Sequence, residues 1–498
     1  MEHSPYPPGE SWHSAGPLSA LADLAGLTLF KDCGEHPLLK NFRALLEDWV
    51  SLNSDPASPR LTALGNSGGR GDFRGSAGTP LSPWESPPLS LSRRWAALMG
   101  ELAGPGFFSR VRDLALGSDN PFTLAAERGQ GAPAFLARLA GDDLDRLGRL
   151  AAFDIPALGF NLALCLRSHG LEDAATGIEA EARALWQAEG QEQAAGGLFC
   201  RPAGPAHGPA APAEARPWGD SLEAFTAHVR RHGAGILSRR GFFRWTPSSD
   251  MLGSLRLVLN SDPISLADLS GYRDQRSLVI DNTLSFLEGK AANNLLLYGD
   301  RGTGKSATVK AVCREYLDRG LRLLELRKED MGELPAILEF TASRGLKFVI
   351  FIDDLSFEDL DDSFTSLKAL LEGGVEERPP NTVIYATSNR RHLVRERQAD
   401  QPGGTGDAGI RSFDTMQEQL SLSDRFGLTV FFTAPSQEEY LEIACFIAEK
   451  RGLTPDGKFR ENALRWERWF NGRSPRTASQ FAAWLSGAKP FPWEQAPQ

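Results

Sequence analysis

The sequence predicts an α/β protein: a parallel sheet followed by a small helical lid and preceded by a mainly α-helical region. Two observations carry this prediction. From about residue 264, short runs of leucine or β-branched residues alternate with longer amphipathic stretches, as in layered α/β domains. Before that point, apolar residues recur at helical spacing instead.

The composition is that of a soluble globular chain of several domains, with 498 residues, 41% apolar and 24% charged. A net charge of −10 argues against binding nucleic acid or anionic membrane through bulk charge. Five scattered cysteines without a C-x-x-C pair indicate neither a disulfide framework nor a zinc site. Without a signal-like N-terminus or a long apolar run, we expect a cytoplasmic protein that does not span a membrane.

The first part of the chain, residues 1–218, is expected to be mainly helical, with Pro- and Gly-rich loops at about 54–92 and 190–218. Residues 219–263 are expected to connect it to the sheet domain. Two sets of apolar residues at helical spacing predict core packing rather than a cofactor role. They are Phe42, Leu45, Leu46, Trp49 and Val50, and further on Phe135, Leu139 and Leu144.

The sheet domain is predicted over residues 264–433 and the helical lid over 434–498. Near-continuous apolar character predicts strands buried on both faces. The predicted strands are 295–298, 321–326, 348–352, 382–386 and 428–432. Helices, each followed by a glycine, are predicted at 305–317, 333–343 and 363–371, with a loop at 398–412. Three lid helices should run to residue 486, the first opened by a Ser436/Glu439 capping box and the last by Ser474-Pro475.

The stretch GDRGTGKS, residues 299–306, directly follows the first predicted strand and fits the pattern G-x-x-x-x-G-K-[ST]. Its glycines let consecutive backbone N–H groups face a phosphate, Lys305 reaches the outer phosphate oxygens, and the Ser306 hydroxyl binds Mg²⁺. The alternative is a plain Gly-rich turn. The predicted nucleotide-binding residues are Gly299, Asp300, Arg301, Gly302, Thr303, Gly304, Lys305, Ser306 and Ala307.

A second motif, FVIFIDD, is a predicted buried strand that ends in two acids. Carboxylates at the carboxyl end of such a strand should lie beside the phosphates. We assign Asp353 to the magnesium shell and Asp354 to polarising the attacking water. A plain loop start or helix cap is the alternative.

These two motifs are followed by two more, and the set LLLYGDRGTGKS, FVIFIDDLSFED, YATSNRRH and LSLSDRFGL resembles the AAA+ branch of P-loop ATPases. It resembles in particular an uncharacterised bacterial family of predicted AAA+ ATPases, a "domain of unknown function" family. The similarity covers roughly residues 220–490. It implies a P-loop NTPase fold of AAA+ type that binds ATP and Mg²⁺.

The resemblance also implies roles for residues outside the phosphate loop. Asn389 resembles sensor 1, Arg425 the arginine finger that reaches a neighbouring subunit's nucleotide, and Arg476 the lid arginine called sensor 2. Gly271 and Tyr272 occupy the position where such proteins pack the adenine. Alternatively, Asn389 caps a turn, Arg425 pairs with an acid of its own fold, and Arg476 is a surface residue. Arg473 competes with Arg476 for the lid role.

One departure from the family pattern concerns the acid pair. Most AAA+ motors have Asp-Glu at this position. This chain has Asp353-Asp354 instead, and the bacterial replication initiators and helicase loaders also have Asp-Asp. The shorter side chain reaches less far toward water, which favours slow turnover or switch-like behaviour. A helix-turn-helix segment like that of the initiators is not expected after the lid.

A cluster of basic residues after Asn389 is the strongest sign of nucleic-acid contact. It comprises Arg390, Arg391, His392, Arg395 and Arg397. The acidic composition and the lack of interleaved aromatics favour a solvated or inter-subunit face instead.

The expected function is slow Mg-dependent ATP hydrolysis coupled to a conformational change in an unknown protein client. The chain should form a homo-oligomer, either a ring or a nucleotide-bridged dimer, if Arg425 acts in trans. The alternatives are a non-hydrolysing ATP switch and a nucleic-acid-associated loader. A small-molecule kinase is a weaker one, since no acceptor pocket can be read from the sequence.

Overall fold

The structure is a computed structural model, in which two compact units, Met1–Val229 and Arg230–Gln498, are distinguished. It describes residues 17–54, 87–102, 106–192, 199, 217–239, 241–247, 254–258, 263–355, 378–389, 426–470, 472–487 and 491.

The described part of the first unit is helical, as predicted. Its helices are α1 (Pro17–Ala25), α2 (Lys31–Glu35), α3 (Pro37–Ser54), α4 (Pro87–Glu101), α5 (Phe107–Leu116), α6 (Pro121–Glu127), α7 (Ala134–Ala151), α8 (Ile155–Ser168), α9 (Glu172–Glu192) and α10 (Leu222–His232). In α3 the predicted stripe is buried at Phe42, Leu45, Leu46 and Trp49. Of the described helices none could cross a membrane by itself, and one consecutive pair, α7 with α8, passes on combined length and composition but is bent by 51°.

Two expectations for this unit are wrong in part. Phe135 is 64% exposed, because it lies in the first turn of α7, before that helix enters the core at Ala140 and Leu144. The loop predicted at 54–92 ends earlier than expected, since α4 already begins at Pro87. Proline is favoured in the first helical turn, where its missing N–H has no partner to lose.

The second unit is built on a seven-stranded sheet in the order β2-β1-β4-β5-β6-β3-β7. Its strands are β1 (Phe242–Thr246), β2 (Ser254–Leu257), β3 (Leu295–Gly299), β4 (Leu321–Leu326), β5 (Lys347–Ile352), β6 (Thr382–Ser388) and β7 (Leu428–Phe432). Every pairing is parallel except that of β1 with β2. All five predicted strands are confirmed within three residues, while β1 and β2 fall in the segment expected only to connect.

Helices cover the sheet and follow it. They are α11 (Ile236–Arg239), α12 (Arg273–Leu287), α13 (Lys305–Glu315), α14 (Leu334–Ala342), α15 (Gln437–Lys450), α16 (Gly457–Trp469) and α17 (Pro475–Ser486). The last three are the predicted lid helices. The Ser436 capping box of α15 and the Ser474 cap of α17, with proline in its first turn, are confirmed. The helix predicted at 363–371 and the loop at 398–412 lie outside the described residues.

The central strands are buried on both faces, which explains their near-continuous apolar sequences. In β5, Ile350 and Ile352 belong to one core cluster, whereas Val349 and Phe351 belong to the other. The chain leaves β3 through α13 and passes over β6 and β5 to reach β4. In open parallel sheets, ligands bind at the carboxyl ends of the strands beside such a change of direction. Here β3, β5 and β6 are parallel, so their carboxyl ends lie at the same edge of the sheet. The predicted α/β fold, a largely parallel sheet followed by a helical lid, is thereby confirmed.

Candidate functional site

Three glycines with positive φ shape the loop between β3 and α13, and at two of them a Cβ would also meet a close neighbour. Gly299 has φ 129°, and a Cβ there would lie 2.1 Å from the carbonyl oxygen of Phe432 on the neighbouring strand. Gly302 has φ 76°, and a Cβ there would lie 2.9 Å from Ser474 Oγ at the start of α17. Larger residues would therefore force the loop away from both the sheet and the last helix.

Lys305 begins α13 and turns its ammonium back into this loop. Its Nζ donates to the carbonyl oxygens of Gly299 at 3.1 Å and Asp300 at 2.9 Å, and to Asn389 Oδ1 at 3.0 Å. All three acceptors are uncharged oxygens. Burial lowers the pKa of Lys305 to about 8, against the opposing charges of Asp300 and Asp354. A buried ammonium without a contacting carboxylate is suited to an anionic ligand such as a phosphate.

Asp353 follows β5 directly and accepts hydrogen bonds from two hydroxyl groups. Ser306 Oγ and Thr387 Oγ1 each lie 2.6 Å from its Oδ1. A serine hydroxyl and a carboxylate are hard oxygen ligands that fit Mg²⁺, which is usually held by one or two carboxylates together with substrate phosphates. Among the described residues there is no group of three or more His, Cys, Asp or Glu that could hold a metal ion.

Asp354 has the left-handed backbone conformation, with φ 55°. Its N–H donates to Thr387 Oγ1 at 3.0 Å, and its Oδ1 accepts a short hydrogen bond from the Asn389 amide. Asn389 therefore joins the predicted phosphate-binding lysine to the predicted water-polarising acid. Its side chain contacts both groups.

The lid contributes Arg476, whose backbone N–H donates to the Gly302 carbonyl at 3.2 Å. Its side chain lines the cavity above the loop. Arg473, the competing lid arginine, is instead paired with Glu467, with Nε 3.0 Å from Oε2. The geometry thus favours Arg476 for contact with a bound ligand.

These groups surround a cavity of about 880 Å³, within the range of sites that bind small ligands and cofactors. Its lining is partly apolar and includes Ile264 and Leu269, together with Ile443, Phe446 and Ile447 of α15. The predicted site residues in its lining are Arg301, Gly302, Thr303, Gly304, Lys305, Ser306, Ala307, Asp353, Asp354, Asn389 and Arg476.

Four residues predicted to contact nucleotide lie outside this lining. Tyr272 donates its hydroxyl to the Thr433 carbonyl at 2.7 Å, and a Cβ on Gly271 would lie 2.8 Å from Ile443 Cδ1. Gly271 therefore packs closely against Ile443, which itself lines the cavity. Asp300 turns its carboxylate to the Ala434 N–H at 2.7 Å, and Gly299 and Asp300 supply only carbonyl oxygens to Lys305. Arg425 and the basic cluster after Asn389 lie outside the described residues.

Other residues at the site are not singled out by the sequence patterns. Thr387 lies within the YATSNRRH motif, two positions before Asn389, but that resemblance implies a role only for Asn389. Arg276 lines the cavity half-buried, and burial lowers the pKa of its guanidinium. Asp268 and Lys450 form an ion pair across the cavity rim, with Nζ 2.6 Å from Oδ1. The lysine is on α15, so this pair connects the lid to the sheet domain.

The chain was compared with curated proteins, solved structures and family models. No curated protein matched the chain. Solved structures that match include the RuvB Holliday junction branch migration motor of Thermotoga maritima, at 20% identity and TM-score 0.30, over 45% of this chain and 65% of that one. AMPPCP-bound DnaA from Aquifex aeolicus matches at 17% identity and TM-score 0.31, over 46% of this chain and 66% of that one.

The FIGL-1 AAA domain in complex with ADP matches at 17% identity and TM-score 0.32, over 46% of this chain and 74% of that one. Similarity at this level carries no conclusion about activity. The family model described as "Protein of unknown function (DUF815)" matches residues 238–489, just over half of the chain. The matched range contains the phosphate loop, the acid pair, Asn389 and the lid arginine, and the chain belongs to this DUF815 family.

Proposed function

We propose that this protein binds ATP with Mg²⁺ in the cavity beside the phosphate loop and hydrolyses it slowly, driving a conformational change in a protein client. One observation carries the proposal. Lys305, Ser306, Asp353, Asp354 and Asn389 come from three separate strand ends and line a single cavity, where Thr387 joins their hydrogen bonds into one cluster. Hydrolysis at a P-loop needs this combination of a cation, a metal-binding pair and a group that orients water.

Each residue has a role that follows from its chemistry. Lys305 binds the outer phosphate oxygens with an ammonium that contacts no carboxylate. Ser306 and Asp353 would hold the magnesium ion, which when bound neutralises negative charge on the phosphates. Asp354 accepts a hydrogen bond from the attacking water and orients it. Arg476 adds positive charge from the lid.

Slow turnover is proposed because of the position and length of Asp354. An aspartate is shorter by one methylene than the glutamate of most AAA+ motors. In addition, one of its carboxylate oxygens already accepts a hydrogen bond from Asn389. The amide fixes that oxygen, so Oδ2 of this shorter side chain is left to orient the attacking water, and it does so from further away than a glutamate would.

Coupling to a client is proposed to act through the lid. Helix α17 contacts the phosphate loop through the Arg476 N–H and the Gly302 carbonyl, and α15 contacts the sheet domain through Lys450 and Asp268. A change in phosphate charge in the loop therefore acts on both helices. Lid movement after nucleotide binding is a common way in which such energy reaches a partner.

Assembly and location rest on the sequence alone. We propose a cytoplasmic homo-oligomer in which Arg425 of one subunit completes the site of another. A loader acting on nucleic acid through the basic cluster after Asn389 is not favoured, given the net charge of −10.

A non-hydrolysing ATP switch is the second candidate, and the hydrogen bond from Asn389 to Asp354 favours it. An acid held by an amide in this way would bind nucleotide beside it without activating water. The substitution Asp354→Asn separates the two candidates. A hydrolase loses phosphate release in this variant and keeps ATP binding, whereas a switch shows no phosphate release in either form.

The direct test compares wild type with Lys305→Ala by ATP titration and by phosphate release in the presence of Mg²⁺. Lys458→Ala is the matched control, because this exposed lysine lies on α16 outside the cavity lining. We expect loss of binding and release in Lys305→Ala only. Unaltered ATP affinity in Lys305→Ala would refute the proposed function.

A further inference from the structure

Thr387 is contacted by three successive residues of the turn that follows β5. Its hydroxyl donates to Asp353 Oδ1 at 2.6 Å and accepts from the Asp354 N–H at 3.0 Å. Its carbonyl oxygen accepts from the Leu355 N–H at 2.7 Å. One side chain and its own carbonyl thus fix the whole turn that carries both acids.

The position of Thr387 makes it a rigid support. It lies in β6, directly after Ala386, the residue paired in register with Ile352 at the end of β5. On its other side it is paired with Leu297 of β3, the strand that leads into the phosphate loop. Thr387 is only 2% exposed, and β-branched side chains have few χ1 choices. Its hydroxyl is therefore held in one place.

The turn needs such support at Asp354. A non-glycine residue in the left-handed region is maintained only where its surroundings fix it, and the N–H of Asp354 is fixed by the Thr387 hydroxyl. At Asp353, Thr387 and Ser306 both bind Oδ1, so Oδ2 is the oxygen that these two hydroxyls leave for another ligand. A single hydroxyl thus orients one acid through its carboxylate and the other through its backbone.

We infer that Thr387 is a positioning residue that sets the metal-binding and water-orienting acids together, an inference that rests on the proposed ATP hydrolysis. It is not part of the cavity lining and acts through its hydrogen bonds to Asp353 and Asp354. Removing its hydroxyl leaves the nucleotide-binding loop intact. The loss therefore falls on turnover and on the magnesium requirement rather than on ATP affinity.

Two substitutions separate this role from ordinary strand packing. Thr387→Val keeps the shape of the side chain and removes the hydroxyl, whereas Thr387→Ser keeps the hydroxyl and removes a methyl group. A positioning role affects the valine variant, and a packing role affects the serine variant at least as much. The melting temperature of each variant reports packing independently of activity.

The test measures kcat, KM for ATP, the magnesium concentration for half-maximal rate, and the melting temperature. In Thr387→Val we expect kcat to fall about tenfold or more, since small misplacements of reacting groups have effects of this size, and the magnesium requirement to rise. In Thr387→Val, KM for ATP should stay within about threefold of the wild-type value. In Thr387→Ser, kcat should also stay within about threefold of the wild-type value. If Thr387→Val does not fold, Thr387→Ala replaces it with the same expectation.

The outcomes are distinguishable. If wild type releases phosphate no faster than Lys305→Ala, the proposed function fails and the inference with it. If wild type is active while Thr387→Val matches it, the inference alone is overturned. The same holds if Thr387→Ser loses as much activity as Thr387→Val.

Discussion

Lys305 donates a hydrogen bond to Asn389 over 84 positions of sequence, with Nζ 3.0 Å from Oδ1. Because Asn389 also donates to Asp354, the phosphate-binding and water-orienting groups share one amide. The amide oxygen faces the cation and the amide nitrogen faces the anion, which is the only arrangement that satisfies both.

The first prediction concerns this amide. Asn389→Ala should lower the rate of ATP hydrolysis about tenfold to a hundredfold, because Asp354 loses the group that holds its carboxylate. ATP affinity should change much less, since Lys305 keeps two carbonyl acceptors. Single-turnover phosphate release and equilibrium titration measure the two effects separately. Asn381→Ala does not serve as a control, because that amide supports the fold through three carbonyl contacts.

An exposed amide outside the cavity, Gln437 at the start of α15, is the better control, and Gln437→Ala should leave both quantities unchanged. A rate in Asn389→Ala equal to that of wild type would exclude Asn389 from the reaction.

The second prediction concerns pH. Burial lowers the pKa of Lys305 to about 8 in the free protein, and a bound phosphate would favour its charged form. Below pH 8 the lysine is already protonated, whereas above it binding must include uptake of a proton. ATP affinity should therefore fall as pH rises through about 8, by up to about tenfold per pH unit.

Titration calorimetry between pH 7 and 9.5 checks this prediction, since affinity and proton uptake are obtained together. Lys305→Met should bind more weakly and show little change over the same range. A wild-type affinity that stays constant across this window would show that the lysine does not titrate there.

The third prediction concerns the start of the phosphate loop. Gly299→Ala places a Cβ 2.1 Å from the Phe432 carbonyl oxygen at a residue with φ 129°, so both sterics and backbone conformation oppose it. We expect the free energy of unfolding to fall by at least about 2 kcal/mol, together with loss of ATP binding. Urea denaturation measures the first and nucleotide titration the second.

Gly332→Ala is the matched control, because a Cβ there would have no atom within 4 Å. Its free energy of unfolding should stay within about 0.5 kcal/mol of wild type. Equal stability of the two alanine variants would contradict the packing of β3 against β7 described above.

The sequence predicts the central strands because each is buried on both faces and so carries its signal in its own residues. Strand β1 is missed for the opposite reason. Its sequence FFRWT contains Arg244, a charged residue that interrupts the apolar pattern of a buried strand. In the structure, Arg244 Nη2 lies 2.7 Å from Glu325 Oε2 on β4, 81 positions away. The polar residue is explained only by a neighbour that local patterns do not reveal.

The residues of the site also divide into those that a local sequence pattern predicts and those that only tertiary contacts explain. Lys305, Ser306, Asp353 and Asp354 follow from local motifs, and the structure brings all four into one cavity. Thr387 lies within the YATSNRRH motif, but the pattern does not reveal its hydrogen bonds to the turn that follows β5. The resemblance places Tyr272 beside the adenine, and the structure adds that its hydroxyl donates to the Thr433 carbonyl. Side-chain direction is decided by such tertiary contacts rather than by position in sequence.

The fourth prediction concerns assembly through Arg425. If this arginine completes the site of a neighbouring subunit, Arg425→Ala and Lys305→Ala should each be inactive alone. Mixed together, they should regain a fraction of wild-type activity, because some sites then combine an intact Lys305 with an intact Arg425. Phosphate release measured against mixing ratio should pass through a maximum between the two pure samples.

A mixture of Lys305→Ala with Asp354→Asn provides the control for recovery. Both substitutions remove groups of the same cavity, so no combination of subunits restores an intact site, and the rate should stay at background. Activity recovered in the first mixture and absent from the second places Arg425 in trans. If the Arg425→Ala mixture also remains at background, or if wild type is fully active as a monomer in sedimentation at the assay concentration, Arg425 acts within its own subunit or not at all.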